Sequence, residues 1–298
     1  ELLPVDVVVV GAHLFAHALF RAVREVTKAP DQPGELRGEG GKSLGADDDD
    51  SDQPDQQQLL ERQAKGHEPR IARKTGGFPL GWATEEADVP SKDLSWKFIE
   101  GSVVEPEAIA AARVTADELG TDPVSPATGA QLALITAAVS AASIIEVGTG
   151  AGVSGLWMLK GAPEAHLTSI DIEADHQQVA RRFFSDAGHP ASRVRLITGA
   201  ATEVLPRMNE SSYDVVLVDA DPKGLLDLLE HAIRLVRVGG VVLVPHALWR
   251  DTVADPAKRE SVTTDRRAII AELSQSPAVH VALSPVGDGL LQIVKRSA

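Results

Sequence analysis

The sequence contains no cysteine. That excludes a disulfide framework and thiolate chemistry, and it fits a reducing compartment. Basic residues are scarce: 29 Lys and Arg stand against 43 Asp and Glu, a formal net charge of −14. A surface so acidic repels phosphate backbones, so nucleic acid is not expected as a partner. Long uncharged apolar runs are missing as well. The one stretch that resembles a targeting signal, Val7 to Phe20, is interrupted by His13 and His17. It is shorter than the ~20 residues a membrane span needs. Glu1 and Asp6 carry the wrong charge for the start of a secretory leader. The stretch reads as a soluble strand or helix, and the chain as cytoplasmic with no membrane partner.

What is present suffices for one sizeable α/β domain with an appendage, given 298 residues of which 43% are hydrophobic. The appendage is residues 1–92. After its apolar opening it holds Pro30, Pro33, a glycine patch (Gly38, Gly40, Gly41), the acidic run Asp47 to Asp50 and Gln56-Gln57-Gln58. Regular apolar periodicity is absent there, so it is expected to be largely linker or disordered. Nothing orders the acidic run, which reads as solvated linker.

Residues 93–298 carry the periodic pattern. Pro106 to Leu119 reads as an amphipathic helix and Gly129 to Ala141 as a buried one. Strands at 143–147, 167–172, 194–198, 214–218 and 241–244 then alternate with helices at 155–160, 175–187, 201–208, 225–236 and 266–273. Two strands close the chain, at 279–283 and 290–295. Short apolar strands alternating with helices predict a doubly wound, mostly parallel seven-stranded sheet. Gly287-Asp288-Gly289 is too short a connection for a crossover, so the last pair forms an antiparallel hairpin.

Ligands of such sheets bind at the carboxyl ends of the strands. The first strand ends in Glu146-Val147-Gly148-Thr149-Gly150-Ala151-Gly152. Glycines there allow a sharp turn and close approach of backbone to ligand. The spacing 148, 150, 152 departs from the dinucleotide fingerprint, whose third position is Val153 here. Glu146 would repel a pyrophosphate but favour a cationic sulfonium cofactor. By itself such a turn is an ordinary strand-to-helix connection. Asp171, which ends the second strand, can accept both hydroxyls of a ribose. Gly199-Ala200-Ala201 leaves room for a flat ring, and the strand Tyr213 to Val218 delivers Asp219 and Asp221 to the same end. That acidic pair suits a metal, a general base or an amino group, or merely caps the next helix.

With these residues in place, the segment from about Leu94 to Lys295 resembles the class I S-adenosylmethionine-dependent O-methyltransferases of the catechol and caffeoyl-coenzyme A type. The shared motifs are E-V-G-T-G-A-G-V-S, S-I-D-I-E, Y-D-V-V-L-V-D-A-D, G-G-V-V-L-V and G-D-G-L. The resemblance implies a Rossmann-like fold, S-adenosylmethionine as cofactor, O-methylation of a small phenolic or catechol-like acceptor, and a possible homodimer. It implies that Glu146, Gly148, Thr149, Gly150 and Ser154 surround the methionine part and ribose. It assigns Asp171 and Ile172 to the ribose and one adenine face, Ala200 and Ala201 to the adenine pocket, and Val124 to a closing backbone contact. Asp219 would face substrate and any metal, with Asp221 near the cofactor or orienting Asp219. Trp96, Trp249 and the segment 250–259 are candidate substrate-loop residues.

Two departures stand out. Metal-dependent members carry Asp-Asn after the strand that here reads Gly239 to Val244, and this chain has Pro245-His246 instead. Proline offers no side-chain donor, and hard Mg²⁺ or Ca²⁺ prefers oxygen to imidazole. A divalent metal is therefore not expected; if one were retained, Asp219 would be its ligand. Those members also place a lysine three residues after the first Asp, where this chain has Pro222, with Lys223 shifted by one. Asp219 and His246 are the candidate general bases, His246 being equally compatible with an ordinary loop residue. The alternatives are a methyltransferase acting on a non-oxygen acceptor, or a cofactor-binding protein that has lost the metal-assisted chemistry.

Overall fold

The computed structural model describes residues 92–220 and 224–296. The expected appendage, with its apolar opening and acidic run, lies outside the described residues except for Lys92.

Three helices precede the sheet: α1 (Lys92–Ser102), α2 (Glu107–Glu118) and α3 (Pro126–Ala138). The alternating part follows: β1 (Ser143–Val147), α4 (Val153–Gly161), β2 (His166–Asp171), α5 (Ala174–Asp186), β3 (Val194–Thr198), α6 (Ala201–Val204), β4 (Tyr213–Val218), α7 (Leu225–Leu235), β5 (Val236–Val244), α8 (Ser261–Gln275), β6 (Val279–Ser284) and β7 (Leu290–Lys295). The sheet order is β3-β2-β1-β4-β5-β7-β6. Pairs from β3 to β5 are parallel, and β7 runs antiparallel to both β5 and β6. The expected seven-stranded sheet with its terminal hairpin is thus present.

Alternate residues of each central strand face opposite layers. Ile144, Leu167, Val215, Leu217 and Leu243 point into a core with α2, α3, α4 and α5. Ile145, Ile170, Val216, Val218 and Val242 point into a second core with α7 and α8. Burial on both faces explains why β4 reads as an unbroken apolar run rather than an alternation.

Among the elements that differ from the sequence expectation, four do so for an identifiable local reason. Helix α1 carries Leu94, Phe98 and Ile99 exposed, so it lacks a buried stripe to betray it. Helix α3 begins at Pro126 rather than Gly129, because Ser125 caps it by accepting from the Thr128 amide at 3.2 Å and Pro126 suits the first turn. The helix expected over 201–208 is one α turn followed by a 3₁₀ turn at Leu205–Arg207, where Pro206 cannot donate to an α-helical ladder. Strand β5 starts at Val236, five residues early, and carries a bulge: Tyr213 pairs with Val236 and Val215 with Val241. Gly239 has φ +76° in that bulge.

Helices α3 and α4 pack closely because both present glycine. A Cβ on Gly129 would lie 2.2 Å from Trp157 Nε1, and one on Gly161 would lie 2.0 Å from the Ala133 carbonyl oxygen. Gly161→Ala should therefore destabilise the fold by about 1–3 kcal/mol through overpacking, read as a lower urea midpoint with an unchanged slope.

Candidate active site

The chain leaves β1 towards β2 and β3, then returns on the other side of β1 as β4. Ligand crevices form where strand order reverses in this way. A cleft of about 630 Å³ opens there, at the carboxyl ends of β1, β2, β4 and β5.

The turn after β1 forms one wall. Gly148, Gly150 and Gly152 all have left-handed backbones, with φ +93°, +50° and +91°. A Cβ on Gly148 would lie 1.7 Å from the Asp219 carbonyl oxygen. Only glycine fits where the turn passes against the end of β4. Asp171 fixes the turn from the other side. Its Oδ2 accepts from the Thr149 and Gly150 amides, each at 2.9 Å, and its Oδ1 accepts from the Glu173 amide at 2.9 Å. His176 Nδ1 lies 3.5 Å from the same carboxylate. A carboxylate has about four acceptor positions, and three amides occupy Asp171, so it retains about one position for a ligand hydroxyl. Ile172 projects beside it, 69% exposed, as an apolar rim. Ala200 and Ala201 line the neighbouring wall, and Val124 closes the cleft from the loop before α3.

Glu146 is placed differently from the expectation. It does not line the cleft but lies fully buried behind the turn. Its Oε1 accepts from Ser154 Oγ at 2.6 Å and its Oε2 from Ser169 Oγ at 2.5 Å. Ser169 also bonds Thr149, which accepts from Gln177 Nε2 at 3.1 Å. Burial pushes the Glu146 carboxyl up to about 7, against the lowering effect of the two serines. The side chain thus props the turn and Ser154 from beneath, and Ser154 and Thr149 are the members of this network that reach the cleft.

The far wall comes from β4, the loop after β5, and α8. Asp219 has intermediate exposure but dense surroundings, and that burial pushes its carboxyl up to about 6, with His246 pulling it down and Asp122 pushing it up. His246 has φ +54°, a left-handed conformation that asparagine also favours. Its Nδ1 lies 3.6 Å from Asp288 Oδ2. Burial alone would lower the His246 pKa, but Asp288, Asp219 and Asp122 together raise it. Trp249 and Arg250 line the cleft, whereas Trp96 on α1 does not. Asp221, Pro222 and Lys223 lie outside the described residues.

These donors do not suit a hard divalent ion. Pro245 has no side-chain ligand, and His246 Nδ1 faces a carboxylate. Among the described residues no three His, Asp or Glu side chains converge as a metal-binding group. A guanidinium, that of Arg266, lies close enough to Asp219 and Asp288 to interact with both.

Residues 100–296 match the family described as O-methyltransferase. The chain belongs to that family. A Mycobacterium tuberculosis relative, named Probable O-methyltransferase Rv1220c, is 41% identical over 208 residues, which span 69% of this chain and 93% of the relative. A crystal structure of a Corynebacterium glutamicum protein superposes with TM-score 0.64 at 30% identity, covering 69% of this chain and 97% of that one. The O-methyltransferase TomG of Streptomyces achromogenes, solved in complex with S-adenosylmethionine and involved in tomaymycin synthesis, superposes with TM-score 0.59 at 25% identity, covering 69% of this chain and 96% of that one.

In this O-methyltransferase, Arg266 in the cleft lining and Asp288 behind His246 carry no role that the sequence alone assigns. Asp288 lies in the G-D-G-L motif and in the middle of a hairpin turn, but neither marks it as a neighbour of His246. Its flanking glycines were the available signal: a Cβ on Gly287 would lie 2.4 Å from Thr128 Oγ1, and one on Gly289 would lie 2.6 Å from Leu248 Cγ. Those contacts seat Asp288 under the loop, where it accepts from the Arg250 amide at 2.7 and 2.9 Å. Arg266 sits on the inward face of α8, and nothing local distinguishes it from a surface arginine.

A carboxyl whose pKa is raised on folding binds more protons in the native state between its unfolded and folded values. Glu146, shifted from 4.5 to about 7, therefore makes stability fall as pH rises from about 4.5 through 7. Glu146→Gln should flatten that decline by an amount on the order of 1–3 kcal/mol. Denaturant unfolding at pH 5 and pH 8 measures it; equal slopes in both proteins would contradict the assignment.

Proposed function

We propose that this O-methyltransferase uses S-adenosylmethionine to methylate a hydroxyl of a small phenolic, catechol-like acceptor, without a divalent metal. The observation that carries the reading is the single cleft joining the glycine turn and Asp171 at one end to Asp219 and His246 at the other. The residues present fit the cofactor. The left-handed glycines bare the turn, Asp171 offers its remaining acceptor position to a ribose hydroxyl, and Ile172 with Ala200 and Ala201 forms a small apolar slot for adenine. Ser154 and the Thr149 and Gly150 backbone would hold the methionine part.

When bound, S-adenosylmethionine supplies an electrophilic methyl group on a sulfonium. The protein's task is then alignment and removal of one proton. His246 is suited to the second. Asp288 faces Nδ1, which favours a proton there and leaves Nε2 as the acceptor. Asp219, on the same wall, steadies the positive charge that His246 gains. With the metal ligands replaced by Pro245-His246, the base performs what an ion would otherwise assist. A homodimer acting in the cytoplasm belongs to the same proposal. The exposed apolar side chains Leu94, Phe98 and Ile99 of α1 support the dimer part. Among the described residues no helix is long and apolar enough to cross a membrane.

Isothermal titration should give one S-adenosylmethionine site per chain. Assays with labelled methyl donor against a phenol library should give turnover that persists in EDTA. Loss of all turnover in EDTA, restored by Mg²⁺, would overturn the metal-free part; binding with no turnover on any phenol would favour a non-oxygen acceptor or a binding-only protein.

His246→Ala should lower kcat by roughly 10²–10⁴, the range of a lost general base, and Asp219→Ala should also reduce it. If both variants turn over normally, the base assignment fails. The acid limb of the wild-type kcat/KM profile should sit above the ordinary histidine value, because three carboxylates raise His246. Asp288→Asn removes one of them, so the limb should move to lower pH while kcat falls through lost orientation.

A further inference from the structure

Among the described residues, two buried side-chain polar atoms lack a hydrogen-bond partner: His246 Nε2 and Arg266 Nε. Both residues line the same cleft. Buried donors and acceptors are nearly always satisfied in native proteins, so two orphaned groups on residues that line one cleft mark that wall as incomplete without a ligand.

Arg266 is unusual in itself. It is only 5% exposed, and on α8 it shares the buried face with Thr263, Ile269 and Leu273. Its guanidinium stacks on the Trp249 ring, 4.3 Å from the centroid. That stacking fixes the plane of the fork without using its N–H groups. Neither neighbouring carboxylate is hydrogen-bonded to it. Asp288 is engaged by the Arg250 amide and faces His246, and Asp219 acts on Arg266 only through its charge. The other arginine at this end, Arg250, lies at the mouth with a 79% exposed side chain, 3.6 Å from Asp122. A pair so exposed is screened and contributes little.

A ligand atom that meets the Arg266 guanidinium must accept a hydrogen bond from it. A hydroxyl oxygen that becomes an anion does this; a carbon, an ammonium or a metal cation does not. We infer that Arg266 is the oxyanion-binding residue of the acceptor subsite, donating to the methyl-accepting oxygen of an ionising phenol while His246 takes its proton. This rests on the reading of the cleft as a methyl-transfer site. Arg266 there supplies the positive charge that metal-dependent relatives obtain from an ion. In the step, the phenol O–H proton passes to His246 Nε2. An oxygen lone pair then forms the O–CH₃ bond, and the electron pair of the broken S–CH₃ bond stays on sulfur, leaving a neutral thioether. The oxygen's charge is consumed as the sulfonium's is, and the imidazolium releases its proton to solvent.

The test uses 4-nitrocatechol, whose absorbance reports its own ionisation, added to the protein saturated with S-adenosylhomocysteine. On the wild type the bound phenol should ionise at least one pH unit below its free value. Arg266→Gln should abolish that shift and lower kcat/KM by roughly 10²–10³, the loss expected for one oxyanion donor, with S-adenosylhomocysteine affinity held within twofold. Arg266→Lys keeps the charge without the stacked fork and should retain less than half of the shift. An undiminished shift in Arg266→Gln overturns the inference. So does a wild type that binds S-adenosylhomocysteine but not the phenol, and in that case the cofactor reading survives. A wild type that binds neither overturns both. If Arg266→Gln fails to bind S-adenosylhomocysteine, Arg266→Lys decides: a full shift overturns, a halved one supports.

Discussion

The turn after β1 and the end of β4 touch through backbone alone, and this contact governs the site. Gly148 donates to the Ile170 carbonyl while the Asp219 amide donates to Val147, both at 2.8 Å, so the three parallel strands stay in register to their last residues. No side chain fits between Gly148 and the Asp219 carbonyl. The turn that would cradle the methyl donor is thereby pressed against the residue that would face the acceptor. For an in-line displacement this spacing is the main requirement, because alignment itself supplies much of the rate. The sheet's two cores serve the same end by fixing β1 and β4 from both faces.

Around that contact the polar groups divide into those that hold shape and those left open. Glu146, Ser169, Thr149 and Gln177 satisfy one another beneath the turn. A buried network that is complete rigidifies its surroundings, and here it stiffens a segment of three left-handed glycines that would otherwise be loose. Asp171 does the same from the cleft side. On the opposite wall, Asp288 and the Gly289 and Asp288 carbonyls hold Ala247, Leu248 and Arg250. Four residues of that loop, His246, Trp249, Arg250 and Asp251, have left-handed backbones. Such conformations persist only where the surroundings over-determine them, and they cluster at functional sites.

The sequence made the sheet legible because its strands are buried on both faces and stand out as short apolar runs between helices. The glycine turn, Asp171, Ala200, Ala201, Asp219 and His246 were legible because topology alone brings strand ends together. What escaped notice depended on tertiary contact. Helix α1 has an exposed apolar face, and β5 begins before its bulge, where Gly239 and Gly240 look like a turn. Glu146 was read as facing the cofactor, yet strand alternation and two serines turn it inward. Arg266 and Asp288 acquire meaning only when α8 and the β6–β7 hairpin fold over the end of β5, and neither carries a local signal beyond the glycines beside Asp288.

Those two residues bear on how the cleft could operate with Pro245-His246 at the positions where the resemblance implies metal ligands. Position 246 demands a left-handed backbone, which narrows the side chains that fit without strain. Histidine meets that demand and brings a titratable nitrogen. An imidazole alone would sit between Asp219 and Asp288 with too much negative charge nearby for an anionic oxygen to approach. Arg266 offsets that charge from the α8 side, and Trp249 holds it in place without consuming its donors. A dication and a guanidinium beside the same carboxylates would repel one another, whereas the Arg266 charge would attract an oxyanion formed beside His246.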